Sequence, residues 1–236
     1  MPPEHSVAPP ILVLTDIEGT TTPIAFVHRT LFPYARKALP GLLRDRVHEP
    51  DVAVAVAEIG RLAPGQDPLA QCLAWMDQDA KITPLKTLQG IAWADGYADG
   101  SLQGEIYPDV VPAMRAWHAT GVRLAVYSSG SEAAQRLIFG HTPDGDLRPL
   151  MSAFLDTRIG GKRETASYAT AAATLQAPVD RMLFLSDVEA ELDAAAGAGL
   201  LTCQLVRAGD GTVAGTRHPV ESDFAGVARR FGLPVA

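Results

Sequence analysis

Short apolar runs stopped by polar turns set the rhythm of this chain. Ile11-Leu12-Val13-Leu14, Leu124-Ala125-Val126-Tyr127 and Met182-Leu183-Phe184-Leu185 are continuous rather than alternating, which suits parallel strands buried on both faces. The pattern predicts strands over 11–15, 122–127, 182–186 and 202–206, with a short one near 153–155. Helical periodicity fills the intervals. Val110, Met114 and Trp117 share a face, with Asp109 placed to cap that helix and Gly121 to end it. Another helix opens near Ser131, and others are predicted over 164–175, 189–198 and 222–231. Strand and helix alternating in this way make a doubly wound, Rossmann-like α/β parallel sheet.

One interval breaks the rhythm. About 112 residues separate Asp16 from Ser128, whereas a βαβ unit needs only about 30, so about 80 are surplus. They read as helical. Leu31, Tyr34, Ala35, Ala38 and Leu42 share one face; Leu69, Leu73 and Met76 suggest a second helix, and Leu85, Leu88, Ile91 and Ala92 a third. Pro33, Pro50, Pro68 and Pro84 stand at plausible helix starts or breaks. The expected organisation is a flexible tail at 1–10, a catalytic core over 11–23 and 105–236, and an all-helical cap at 24–104. Inserted directly after the first strand, the cap is expected to act as a lid.

Composition adds limits. The 236 residues are 47% hydrophobic and 20% charged, with mean hydropathy +0.07, an ordinary globular balance. A net charge of −7 repels nucleic acid and anionic membranes, so neither is expected as a partner. No apolar run approaches the roughly 18 residues of a membrane span, and the first residues lack the features of a signal peptide. Cys72 and Cys203 sit in apolar contexts without a CxxC partner and read as buried free thiols of a cytoplasmic protein. With no heptad run or long apolar face, a monomer is expected.

The candidate chemistry stands just past the strands, where ligands bind in open α/β sheets. Asp16-Ile17-Glu18-Gly19-Thr20 offers two carboxylates, one to attack phosphorus and one to handle protons, and the Gly-Thr-Thr amides as phosphate donors. Ser128-Ser129-Gly130-Ser131 places hydroxyls and amides at a helix start. Lys162, behind Gly160-Gly161, can act as a point charge for phosphate. Ser186-Asp187 adds a third acid, and Glu191 stands one turn further on. Oxygen donors of this kind suit Mg²⁺. Each motif has a plainer reading: an acidic helix cap, an N-cap at Ser131, a solvated lysine. Their order and shared edge favour the chemistry.

That order, D-x-E, Ser, Lys, Asp, resembles the haloacid dehalogenase superfamily of aspartate-nucleophile phosphotransferases. Asp16-Ile17-Glu18-Gly19-Thr20-Thr21-Thr22-Pro23-Ile24-Ala25-Phe26-Val27 with Leu31-Phe32-Pro33-Tyr34 is similar to its enolase-phosphatase (acireductone synthase) family of methionine salvage. So are Leu88-Gln89-Gly90 with Trp93, Tyr127-Ser128-Ser129-Gly130-Ser131, Phe139-Gly140-His141, Asp156-Thr157 and Leu185-Ser186-Asp187-Val188. The likeness runs from about residue 11 to 207. It implies Asp16 as nucleophile, Glu18 as general acid–base, Ser128 and Ser129 on substrate phosphate, and Lys162 as its counter-charge. It also implies one Mg²⁺ held by Asp16, the Glu18 backbone carbonyl and Asp187. The implied reaction enolises 2,3-diketo-5-methylthiopentyl 1-phosphate and then hydrolyses it to the acireductone and phosphate. Glu18 is the economical enolisation base, with Lys86 and His28 as alternatives. Two other readings share much of this pattern: a capped phosphatase for another small ester, and a receiver domain phosphorylated on aspartate. Arg207-Ala208-Gly209-Asp210 stands where the family leads one to expect Arg-Pro-Gly-Asn, and Glu189, Glu191 and Asp193 compete as the metal-supporting acid.

Overall fold

The computed structural model describes residues 8–236. Strand β1 (Leu12–Thr15) is buried along its whole length, as its continuous apolar run requires. The chain then passes through a single turn, α1 (Ile24–Phe26), into a π-helical stretch at Val27–Leu31. Four helices follow: α2 (Phe32–Asp45), α3 (Pro50–Leu62), α4 (Pro68–Asp77) and α5 (Thr83–Ala98). Each opens with a proline in its first two positions, where the missing N–H costs nothing and the fixed φ favours the helix. Helix α3 was not foreseen from periodicity; Val52, Ala55 and Ile59 form its buried stripe. In α4 the fully buried position is Cys72, rather than Leu69, Leu73 or Met76, which are half-buried. Pro40 lies inside α2 on its exposed side, and the helix continues through it. These helices bury Leu39, Leu42, Val52, Ala55, Ile59, Cys72, Leu85 and Leu88 in a core of their own. They form a compact unit, Ala25–Gly104; the other unit runs up to Ile24 and resumes at Glu105.

The second unit carries α6 (Val110–Ala119), β2 (Arg123–Tyr127), α7 (Glu132–Gly140), β3 (Met151–Leu155), α8 (Thr165–Leu175), β4 (Met182–Ser186), α9 (Glu189–Gly197), β5 (Leu201–Leu205), the two-residue β6 (Val220–Glu221) and α10 (Phe224–Phe231). All six strands are parallel in the order β3-β2-β1-β4-β5-β6. The expected doubly wound sheet is therefore present. Strand β6 is too short for sequence periodicity to register. Asp109 does not cap α6 with its side chain, which instead accepts from Arg207 and from the Phe224 N–H.

One sheet face packs Leu12, Leu14, Tyr127 and Phe184 against Tyr168, Ala171, Leu175 and Leu192 of α8 and α9. Full burial of such side chains contributes about 1.5–3 kcal/mol each. Tyr127, Tyr168 and Phe184 meet edge to face, with centroids 5.5 and 5.1 Å apart. Of the expected tail, residues 1–7 lie outside the described residues. The part that is described is docked: the Pro9 carbonyl accepts from Arg181 Nε and Nη2 at 3.1 and 2.8 Å. Among the described residues no helix is long and apolar enough to cross a membrane. Both cysteines are free and buried, and burial pushes their thiols up, Cys72 to about 11 and Cys203 to about 12.

Candidate active site

Sheet register decides which residues meet. Thr15 lies opposite Val126 on one side and Leu185 on the other, so the segments after β1, β2 and β4 leave the sheet at one edge. Asp16 begins the first of these, with its N–H still donating to the Leu185 carbonyl at 2.9 Å. Beyond it the chain curls sharply. The amides of Thr20, Thr21 and Thr22 all donate to the Ile17 carbonyl, and the Gly19 amide donates to Thr22. Those amides are thus committed within the loop, which corrects the expectation that they serve phosphate. Gly19 is required here. Its φ is +69°, and a Cβ would lie 2.6 Å from Asp187 Cγ, so the loop backbone rests directly on that carboxylate.

Asp16 is 6% exposed. Its Oδ1 accepts from the Ile17 N–H at 2.7 Å and pairs with Lys162 Nζ at 2.7 Å. The same Nζ lies 2.6 Å from Glu191 Oε2. The Ser186 hydroxyl, 2.9 Å from Glu191 Oε2 and 3.4 Å from Asp16 Oδ2, bridges the two acids and accepts from the Val188 N–H. Lys162 is therefore no solvated lysine. Tyr168 donates to its backbone carbonyl at 2.7 Å and Tyr127 donates to that of Gly160, so the aromatic cluster beneath fixes the loop carrying it.

Of the acids after Asp187, Glu191 is the one that turns to this cluster. Glu189 and Asp193 pair with Arg217 instead. The inward reach of Glu191 and the Ser186 bridge were not assigned from sequence, although the spacing of the two residues from Asp187 was a usable signal. Glu18 is exposed on the curled loop. Ser128 is buried at the end of β2 and accepts from the Gly130 N–H; Ser129 beside it is exposed, and Ser131 is the N-cap of α7, as its plainer reading held. Gln135 ties this loop to the Gly130 and Leu155 carbonyls.

The charges do not balance. Burial opposes the Lys162 charge, but Asp16 and Glu191 outweigh it and hold its pKa above the usual range. Burial and then the Asp16 charge push Glu191 up in spite of Lys162. Asp187, raised by burial and by Asp16 and Glu191, is pushed up to about 7. One ammonium pairs with two carboxylates while the charge of Asp187 stands near both, an excess of negative charge that a hard cation would relieve. Among the described residues no three His, Cys, Asp or Glu side chains form a ready metal cluster. The residues that could hold such a cation are the carboxylates of Asp16 and Asp187, which face each other across the turn at Gly19, since Mg²⁺ takes one or two carboxylates together with waters and phosphate oxygens.

Residues 12–199 match the family model of haloacid dehalogenase-like hydrolases. Enolase-phosphatase E1 of Gluconacetobacter diazotrophicus is 64% identical over 224 residues, covering 95% of each chain. Enolase-phosphatase E1 of Acidiphilium cryptum is 54% identical over 225 residues, covering 95% of this chain and 97% of its own. Among solved structures, the UTR4 protein of Saccharomyces cerevisiae superposes with a TM-score of 0.78 at 34% identity, covering 91% of this chain and 98% of its own.

Proposed function

The chain belongs to the haloacid dehalogenase-like hydrolases and, within them, to the enolase-phosphatases, and from that membership we propose how its own residues act. Enzymes of this family generally use a divalent metal. The proposed substrate is 2,3-diketo-5-methylthiopentyl 1-phosphate, and the proposed products are 1,2-dihydroxy-3-keto-5-methylthiopentene and phosphate. The observation that carries the reading is the buried Asp16 held by Lys162 at 2.7 Å at the carboxyl edge of the sheet.

In the first step the Glu18 carboxylate takes the carbon-bound proton beside the carbonyl, and the enolate oxygen left behind is protonated from solvent to give an enol phosphate. Asp16 then attacks phosphorus through a carboxylate oxygen, and the bond from phosphorus to the enol oxygen breaks. Protonated Glu18 returns its proton to that departing oxygen. Water, deprotonated by Glu18, cleaves the aspartyl-phosphate and restores Asp16, and Glu18 then gives that proton to solvent. Lys162 fixes the direction of the Asp16 carboxylate and offsets charge on the transferring group, which would otherwise face three acids. Ser128 and Ser129 receive phosphate oxygens. One Mg²⁺ per chain, held by Asp16, Asp187 and the Glu18 carbonyl, would supply Lewis-acid stabilisation of the developing enolate and phosphoryl charge. The proposed setting is a cytoplasmic monomer acting on a small phosphate ester, which the two free, buried thiols support.

The test mixes protein, Mg²⁺ and the diketo phosphate and follows phosphate together with the enediol absorbance. Asp16→Asn should retain its circular dichroism and release no phosphate, because an amide cannot form the acyl-phosphate. A folded Asp16→Asn enzyme within about tenfold of wild type would refute the nucleophile.

A further inference from the structure

We infer that Arg207 and Asp210, at the end of β5, are positioning residues for the loop that carries Glu18, and so act on proton transfer to the leaving group. The inference rests on Glu18 being the acid–base group of the proposed reaction.

The loop after Asp16 spends its Gly19, Thr20, Thr21 and Thr22 amides internally, so its outward carbonyls need donors from elsewhere. Arg207 supplies them: Nε and Nη2 donate to the Thr20 carbonyl at 3.0 and 2.6 Å. Its third nitrogen, Nη1, grips both carboxylate oxygens of Asp109 at 2.9 and 2.8 Å. The guanidinium is buried with its carbon 4.3 Å from the Tyr107 ring centroid and 5.4 Å from that of Phe224. Held on every side, it cannot follow solvent, and neither can the carbonyl it binds.

Asp210 completes the brace. One carboxylate oxygen, Oδ2, accepts from the Ile24 N–H at 3.2 Å and from the Tyr107 hydroxyl. Tyr107 in turn donates its N–H to the Thr21 carbonyl at 3.0 Å. Arg207, Tyr107 and Asp210 therefore pin residues 20, 21 and 24, just beyond Glu18 and Gly19, and Asp109 holds Arg207 in place. The pinned backbone and the returning segment at 107–109 are where the chain leaves and rejoins the core unit. None of the four lies in the Asp16–Lys162–Glu191 cluster. What they hold is the backbone that aims the Glu18 carboxylate.

A residue acting through a general acid leaves a signature that plain loss of structure does not. When the bond from phosphorus to oxygen breaks, an alkyl leaving oxygen needs the proton from Glu18, whereas p-nitrophenolate departs without one. Asp210→Ala should therefore lower the single-turnover rate of alcohol release from an alkyl phosphate by about tenfold and that of p-nitrophenolate release by less than about threefold, a comparison made before the water step in which Glu18 serves both esters alike. Tyr107→Phe, which removes the same hydrogen bond from its other end, should show the same split. Asp210→Asn retains an accepting oxygen and should recover most of the loss. In a Glu18→Gln background Asp210→Ala should cost nothing more, since the group it aims is gone. Equal loss on both esters, or a full additional loss in the Glu18→Gln background, overturns the inference. If Glu18→Gln alone hydrolyses the alkyl ester normally, the acid–base reading falls and the inference with it. If Glu18→Gln is slow while Asp210→Ala and Tyr107→Phe are both normal, only the brace falls.

Discussion

Replacing Lys162 with methionine tests the charge arrangement at the centre of the site. Methionine keeps much of the length and apolar stem while removing the ammonium, which lies 2.7 Å from Asp16 and 2.6 Å from Glu191. Breaking a buried pair by deleting one partner costs about 3–5 kcal/mol, because the remaining charge is left without compensation. Here two carboxylates are stranded, bridged only by the Ser186 hydroxyl, and the cheaper outcome is for one to take up a proton. Protonation sets the sign with pH. In the variant a buried carboxyl has a folded pKa above its unfolded value, so the folded state binds the extra proton, and stability is present at low pH and lost as pH rises. The deficit against wild type should approach the upper figure at about pH 8 and shrink by about 1.4 kcal/mol per pH unit over the range in which that carboxyl takes up its proton. Urea unfolding in chelator at about pH 8 and at about pH 6 reads this directly. Phosphate release at saturating Mg²⁺ should fall by about 10²–10³, the effect of removing one fixed charge from a preorganised site. An enol phosphate absorbance appearing before free phosphate would place the loss in phosphoryl transfer. A stability change under about 1 kcal/mol that does not vary with pH, with near-normal turnover, would refute the buried triad.

The raised Asp187 makes a second pH prediction. Because its folded pKa is pushed up to about 7, the metal-free protein should lose stability as pH rises from the ordinary carboxylate range through neutrality. Mg²⁺, which needs the ionised form, should then raise Tm more at about pH 8 than at about pH 6, and equal shifts at both would contradict this. Gly19→Ala should cost about 1–2 kcal/mol for its positive φ, and its Cβ, 2.6 Å from Asp187 Cγ, must displace that carboxylate. Mg²⁺ affinity measured by titration calorimetry should drop about tenfold or more, and unchanged affinity would show that Asp187 does not hold the metal.

Strand positions were legible because a strand buried on both faces must be apolar without interruption. Runs of that kind at 11–15, 122–127 and 182–186 became β1, β2 and β4 nearly residue for residue. The prolines likewise marked helix starts, since their fixed φ and missing N–H fit few other helical positions. Helix α3 escaped because its small alanines and valines dilute the contrast between faces, and Asp109 misled because a capping residue type can find stronger partners far away in sequence.

By itself, then, the sequence determined the alternation of strands and helices, the place of the helical insertion, and the residue types available at each strand end. Local chemistry controls all of these: apolar period, turn preference, proline geometry. Tertiary structure decided which acid faces Lys162, that this lysine is buried rather than solvated, and that the amides after Asp16 are turned inward. It also decided that Arg207 and Asp210 hold the loop of Glu18. Those outcomes depend on strand register and on the direction in which side chains leave separate elements. Glu191 differs from Glu189 and Asp193 only by its angle around α9, and that angle acquires meaning once β4 lies beside β1.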